Sequence, residues 1–327
     1  MIISRTPLRM SFVGGGSDLP VFYRKFGGAV VSTAIDKFVY VTVNSKFDDR
    51  IRVSYSRTEE ARTPDRVKHP LVREALHLLK VKGGLEITSI ADIPAKGSGL
   101  GSSSAFTVGL LHALHAYGGR YASAEKLAQE SCVIEIERCG EPIGKQDQYA
   151  AAFGGFNFIQ FNRDDSVSIE PILCKRTTIT ALEEQILVFY TGITRTASTV
   201  LKTQQEAVGA QKTKQQAMQR MVELAHVMKA ALQKNELGAF GEILHENWEL
   251  KRSLTSGISS AQIDQWYDKG RRAGAIGGKL LGAGSGGFLM FYAPVERHAS
   301  IVKSLKPLRR VGFRFEPQGS KIIFVHD

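Results

Sequence analysis

Residues 97 to 105, GSGLGSSSA, constrain this chain more than any other stretch. Three glycines and four serines run directly into the apolar segment FTVGLLHALHAY. Glycine lets a backbone come close to a bound group, and consecutive N–H groups in such a loop form a concave nest for an anion. A helix beginning at the end of the loop adds unpaired N–H donors and the positive end of its dipole. Two further glycine clusters lie far away in sequence, VGGGSDLP at 13–20 and GAGSGG at 282–287. One such turn is commonplace. Three in one chain, each beside a strand or helix, point to a fold that brings backbone against phosphate.

The common phosphate loops do not fit. A Walker A loop needs Lys after its last glycine, and Ser102 follows Gly101. Gly282, Gly284 and Gly287 spell G-x-G-x-x-G, but a dinucleotide fingerprint runs strand, loop, helix. Here the loop reads as following a helix and entering the strand FLMFYA. The 43 Lys and Arg against 32 Asp and Glu give a net charge of +11. That suits nucleic acid or phosphorylated small molecules. The basic residues are scattered and no zinc-finger or RNA-recognition signature is present, so the balance falls to phosphorylated small molecules, with no nucleic-acid partner.

The length of 327 residues suits one large domain or two ordinary ones. No apolar run is long enough for a membrane span, and the N-terminus has no signal-peptide pattern. The three cysteines, Cys132, Cys139 and Cys174, have no Cys-x-x-Cys spacing and read as buried thiols of a cytoplasmic protein without membrane partners. Strand patterns occur at 29–44, 84–94, 154–161, 185–192 and 322–327. Helical patterns occur at 70–80, 123–140 with Ser123 as cap, 197–233, 237–254, 260–274 and 295–306. Strands and helices mix without a βαβ rhythm, which favours α+β. A boundary falls between residues 165 and 195, giving domains 1–180 and 181–327.

Pro94 to Ala105, in the order P-x-x-x-x-G-L-G-S-S-S-A, resembles the second motif of the GHMP kinases, named for galactokinase, homoserine kinase, mevalonate kinase and phosphomevalonate kinase. RTPLRMSFVGGGSD is similar to their first motif and LLGAGSGGFLMF to their third, so the likeness spans nearly the whole chain. It implies an N-terminal ribosomal-S5-like domain, a C-terminal ferredoxin-like domain and a site between them for ATP and Mg²⁺. GEPIGKQDQYAAAFGGFNFI, FYTGITRTAS and HENWELKRSLTSGIS resemble the subgroup that phosphorylates the anomeric hydroxyl of D-glycero-D-manno-heptose 7-phosphate, giving the 1,7-bisphosphate. Fucokinase-like and other hexose 1-kinases share these stretches. A non-catalytic sugar or nucleotide sensor on the same scaffold is a further alternative, and a homodimer is left open.

Carried over residue by residue, the resemblance implies that Lys96, Gly97, Ser98, Gly99, Leu100, Gly101, Ser102, Ser103 and Ser104 wrap the ATP phosphates. Ser103, with Ser102 as competitor, and Glu135 would hold Mg²⁺. Glu137, two residues on, should face away on a helix. Asp147 is the implied catalytic carboxylate, as base or as orienting group, and Arg9 its neighbour at the transferring phosphoryl group. Asp18, with Gly15, Gly16 and Ser17, would grip the sugar, and Gly284 the substrate side of the third loop. Arg195 and Lys145, then Lys251, are candidates for the 7-phosphate. Gly15, Gly16 and Ser17 stand where galactokinase has Glu-His-Thr, which argues against galactose. Ser285 interrupts the third loop's glycines, a change compatible with the fold if its backbone avoids positive φ. His245 and Trp248 in HENWE lack the second His of a zinc motif and read as packing residues.

Overall fold

β1 (Ile2–Val13) and β2 (Gly28–Ser45) pair antiparallel over their length and form the spine of an eight-stranded sheet. In β2, residues 39 to 44 alternate between buried and half-buried, while residues 28 to 35 are buried throughout. The alternation stops where helices cover both faces, since a strand covered on two sides needs apolar or small residues at every position. The computed structural model describes residues 1–93, 97–194 and 197–326.

The sheet runs β12 (Lys321–Val325), β1, β2, β5 (Leu85–Ala91), β3 (Ile51–Ser54), β4 (Thr58–Ala61), with β6 (Phe156–Phe161) also on β2 and β7 (Val167–Pro171) on β6. Among the described residues only β3 and β5 pair in parallel. A second, antiparallel sheet has the order β11 (Arg309–Arg310), β8 (Ile186–Tyr190), β10 (Phe288–Tyr292), β9 (Gly277–Leu280).

In the first half, α1 (Pro20–Phe26), α2 (Pro70–Leu79), α3 (Ser102–Tyr117), α4 (Ala124–Cys132) and α5 (Gln146–Phe153) accompany the large sheet. The second half carries α6 (Arg176–Gln185), α7 (Ala197–Ala210), α8 (Lys212–Gln233), α9 (Phe240–Ser253), α10 (Ala261–Arg272) and α11 (His298–Ser304). Ser123 and Ser260 cap α4 and α10 through their hydroxyls. α3 packs on β1 and β2, and its buried apolar residues from Val108 to Leu114 fill the main core.

Two expectations change. The helical pattern at 197–233 is two helices, because Gln211 is extended at φ −110°, ψ 117°. The second of them, α8, packs on β1 and β2 as well as on α9; Phe158 meets His226 at 4.8 Å, and Lys229 pairs with Glu170. Elements from both sides of residue 180 share one sheet and one core. β12 returns to the first sheet beside β1, and one hydrophobic core runs from Leu8 and Phe12 through Leu224 and Phe240 to Phe288 and Tyr292. Phe12 sits at this junction, with ring contacts to Phe156, Phe240 and Phe315 at 5.6, 5.4 and 6.1 Å. Of the three thiols only Cys132 is fully buried; Cys139 and Cys174 are half-buried, and all three are free. No helix among the described residues is long and apolar enough to cross a membrane.

Candidate active site

The three glycine clusters meet at one cleft of about 570 Å³, between the large sheet and the second half of the chain. The second and third clusters touch backbone to backbone. A Cβ on Gly99 would lie 2.2 Å from the Leu281 carbonyl oxygen, and one on Gly282 2.5 Å from the Gly99 Cα. Gly99 also has φ 74°, so both its conformation and the space around it exclude a side chain. The third cluster follows β9 and enters β10. It is thus a strand–loop–strand connection, where a helix was expected before it; no helix opens after it, and a dinucleotide site is excluded on that ground too.

Gly97, Ser98, Gly99, Gly101, Ser102, Ser103 and Ser104 all line the cleft. Gly101 occupies the cap position of α3 at φ 75° and no side chain caps the helix. The positive end of α3 therefore faces the cleft, the electrostatic setting that favours phosphate. Leu100 differs from its neighbours: it is buried, and its carbonyl accepts the Arg9 N–H at 3.0 Å. Lys96 and Arg195 lie outside the described residues.

Glu135 projects from a π-helical turn, Val133–Arg138, where a continuous α-helix was expected. Such turns widen a helix locally and recur at functional sites. The Glu135 carboxylate is buried, accepts from the Ser103 hydroxyl at 2.7 Å and from Gln148 Nε2 at 2.7 Å, and lines the cleft. Burial pushes it up to about 7, against hydrogen bonds from Ser103, Ser104 and Gln148 and with a further upward push from Asp147. A desolvated carboxylate beside a hydroxyl, both facing the phosphate loop, is a donor set that fits a hard divalent cation whose other ligands are phosphate and water oxygens. Glu137 is exposed, as expected.

Asp147 lies in the first turn of α5. Arg9, on β1, grips it with both arms, Nε to Oδ1 and Nη2 to Oδ2, each at 2.8 Å, while Nη1 donates to the Gly99 carbonyl at 2.7 Å. Arg9 is 4% exposed and Asp147 24%. A buried ion pair contributes little net stability, because desolvation offsets the Coulomb gain. Its value here is placement: it fixes a carboxylate and a guanidinium at the foot of the phosphate loop. Gly101 keeps that approach open, since a Cβ there would stand 3.3 Å from both Arg9 and Asp147.

Asp18 is buried and lines the cleft on the other side of this pair. It does not cap α1, whose cap position is Leu19. Its Oδ1 accepts from the Gly16 N–H at 2.9 Å and its Oδ2 from the Gln146 N–H at 3.2 Å. Burial, and then the charge of Asp147, raise its pKa. Gly15 and Gly16 line the cleft; Ser17 and Gly284 do not. The Ser17 hydroxyl instead ties the loop to Ala29, and a Cβ on Gly284 would strike the Ile258 carbonyl at 2.6 Å. Lys145 turns away from the cleft. Its Nζ donates to the Asp165 carbonyl at 2.9 Å, pairs with that carboxylate at 3.7 Å and lies 5.1 Å over the Tyr23 ring.

Ser285 does adopt positive φ, 66°, contrary to the condition the sequence set. Left-handed backbone costs a non-glycine residue about 1 kcal/mol or more. Bonds from its N–H to Ile258 and from its hydroxyl to Gly257 offset that cost. Trp248 is fully buried and His245 bonds the Tyr267 hydroxyl at 2.7 Å, so both are packing residues.

Sequence reasoning missed Ser11, Gln146, Gln204 and Lys279 and gave Lys251 little weight. Ser11, Gln146, Lys251 and Lys279 line the cleft. Lys251, on α9, donates to the Gly15 carbonyl at 3.1 Å and to Gln204 Oε1 at 2.9 Å. Burial pushes it down to about 8, partly offset by Asp18. Lys279, on β9, donates to the Ser11 and Phe12 carbonyls at 2.8 and 2.9 Å. Burial holds it well below the usual lysine range, with Lys251 and Arg9 adding to the effect. The only available signal for Lys279 was its place just before the third glycine cluster.

Residues 69–155 match the GHMP kinases N terminal domain and residues 228–304 match the GHMP kinases C terminal domain. The chain belongs to the GHMP kinases. As in that family, it is an ATP-dependent kinase, and its relatives mark it as a sugar kinase. It is 29% identical over 317 residues to the D-glycero-alpha-D-manno-heptose 7-phosphate kinase of Campylobacter jejuni, covering 93% of each chain. Its structure is similar to that of a D-glycero-D-manno-heptose 1-phosphate kinase from Bacteroides thetaiotaomicron, with TM-score 0.82, 26% identity and full coverage of both chains. It is also 28% identical to the bifunctional fucokinase/GDP-fucose pyrophosphorylase of Arabidopsis thaliana, over 88% of this chain but 29% of that much longer one.

Proposed function

We propose that this GHMP kinase transfers the γ-phosphoryl group of ATP to the anomeric C1 hydroxyl of D-glycero-D-manno-heptose 7-phosphate. The observation that carries the reading is the Arg9–Asp147 pair, held between the phosphate loop and the buried Asp18. The loop from Gly97 to Ser104 and the N-terminus of α3 bind the donor phosphates. Ser103 and Glu135 would hold Mg²⁺, which supplies charge neutralisation on those phosphates. Asp18 and Gln146 accept from and donate to sugar hydroxyls. Asp147 orients the C1 hydroxyl and takes its proton as the C1–O–P bond forms and ADP leaves. Both its oxygens face Arg9, so one of those hydrogen bonds must lengthen to receive the proton. Arg9 offsets charge on the transferring group. Positioning and charge stabilisation carry most of the rate.

One observation favours a second reading, a fucokinase-like or other hexose 1-kinase. Lys145, a candidate for the sugar's own phosphate, is engaged with Asp165. An ADP-release assay compares D-glycero-D-manno-heptose 7-phosphate with unphosphorylated heptose, mannose, fucose and galactose, with a sugar-free control. We expect the phosphorylated heptose to have the highest kcat/KM. Preference for an unphosphorylated sugar would establish the second reading, and no sugar-dependent turnover would leave only a sensor.

A further inference from the structure

The acceptor end of the cleft holds more buried donors than the protein itself satisfies. Lys251 and Lys279 are 6% and 5% exposed, and both line the cleft. Each ammonium has three N–H donors, and two of them go to protein oxygens. Among the described residues neither lysine forms a carboxylate ion pair; Lys251 feels Asp18 only at longer range. Among the described residues the Ser11 hydroxyl and Gln204 Nε2, both buried, have no hydrogen-bond partner. Glycines of the first cluster adjoin three of these groups. A Cβ on Gly15 would lie 3.6 Å from Ser11 Oγ, and one on Gly16 2.4 Å from Gln204 Nε2 and 3.0 Å from Lys251 Nζ.

A buried cation without a counter-charge and a buried donor without a partner each carry a free-energy penalty. A cluster of four such groups is unfavourable when empty and favourable around one multivalent oxyanion. We propose that Lys251, Lys279, the Ser11 hydroxyl and Gln204 hold the phosphomonoester that the acceptor sugar itself carries. The inference rests on the acceptor reading above and assigns its second phosphate to residues other than Lys145.

Position selects the acceptor's phosphate over the transferring one. Arg9 reaches back to Gly99 in the donor loop. Ser11 lies two residues further along β1 on the same face, about 7 Å away at the rise of a strand. Lys251 is beyond it, on the first glycine cluster. A sugar whose C1 hydroxyl meets Asp147 therefore directs its far end to this cluster. Gln146 Oε1, buried and unpartnered, lies between as an acceptor for a ring hydroxyl.

The test measures KM and kcat for heptose 7-phosphate and for unphosphorylated heptose in wild type, Lys251→Met, Lys251→Arg and Ser11→Ala. Lys251→Met should raise KM for the phosphorylated sugar about 30-fold, the loss of one charge-assisted contact. Its effect on the unphosphorylated sugar should be at most a tenth of that, and Lys251→Arg should recover much of the loss. The Ser11 hydroxyl makes no hydrogen bond, so Ser11→Ala removes nothing from the fold and guards against a misfolded Lys251→Met. It should raise the same KM about 5-fold. Inorganic phosphate should inhibit wild type competitively against heptose 7-phosphate, and Lys251→Met more weakly. If wild type prefers the phosphorylated sugar but the variants weaken both sugars equally, or phosphate competes with ATP alone, the assignment is wrong and the acceptor reading stands. If wild type prefers the unphosphorylated sugar, the acceptor reading fails and takes the anion site with it.

Discussion

At one end of the cleft, the one proposed for the donor phosphates, the lining comes largely from one continuous stretch, Gly97 to Ser104, with Gly101 at the start of α3. At the other end, proposed for the acceptor, Ser11, Asp18, Gln146, Lys251 and Lys279 come from β1, the first glycine cluster, α5, α9 and β9, with Gln204 of α7 bonded to Lys251. The donor end recognises a polyphosphate common to many kinases, and main-chain geometry is enough for that. The acceptor end must distinguish sugars, which takes side chains converging from separate elements. A motif can spell the first kind of site; the second kind has no continuous sequence to be spelled in. Arg9 and Asp147 stand at the meeting point, one from each half of the large sheet's surroundings, and belong to both.

That contrast can be broken by substitution. The largest effect should come at the junction. Asp147→Asn should lower kcat about 1,000-fold with KM for ATP little changed; a loss under tenfold would make the pair a structural brace. Next, the donor end should tolerate no side chain where backbones meet. Gly99→Ala forces a Cβ to 2.2 Å from a carbonyl oxygen at φ 74°, which should cost about 2 kcal/mol or more of stability and raise KM for ATP. Gly15→Ala is the matching change at the acceptor end, where the nearest atom would be 3.6 Å away. It should melt close to wild type while binding sugar less well. Equal melting temperatures for the two alanine variants would erase the distinction.

A pH profile sharpens the comparison further. The proposed anion site needs Lys251 protonated, and burial has brought it down to about 8. Asp18 and Lys279 are the charged groups that face it. The folded value lies below that of a free lysine, so the cation is lost as pH rises through 8. Above that point kcat/KM for the phosphorylated acceptor should fall tenfold per pH unit, while KM for ATP should not follow. Parallel loss of both would place the titrating group at the donor end. The smallest effect is expected at Lys145, whose ion pair with Asp165 lies outside the cleft lining. Lys145→Met should change kcat/KM less than threefold and stability by no more than about 1 kcal/mol.

The α+β class, most helices, half of the strands and the glycine-rich loop were legible because each depends on a local pattern: period, caps and glycine spacing; β1, the spine of the large sheet, was not among the expected strands. Glu135 was legible by motif, although the π turn that aims it was not, because a one-residue widening leaves no mark on apolar periodicity. The break at Gln211 and the packing of α8 on the large sheet were missed for a related reason. An amphipathic face does not state which surface covers it. Ser285 shows the reverse case: the sequence flagged the residue, and its partners at Gly257 and Ile258 decided that positive φ was acceptable. Lys145 and Lys251 illustrate the limit most plainly. Both are lysines near family-like stretches, yet one rests on Asp165 at the surface and the other is buried in the cleft.

By itself the sequence determined the α+β class and a glycine-rich loop opening a helix, and its three motifs resembled one kinase family, because those features follow from residues adjacent in the chain. Only the tertiary structure decided how the strands divide into two sheets, which cations line the cleft, how β12 closes the first sheet and where, among the described residues, buried donors are left without partners. Those outcomes depend on which distant elements exclude water together, and no local spacing encodes that.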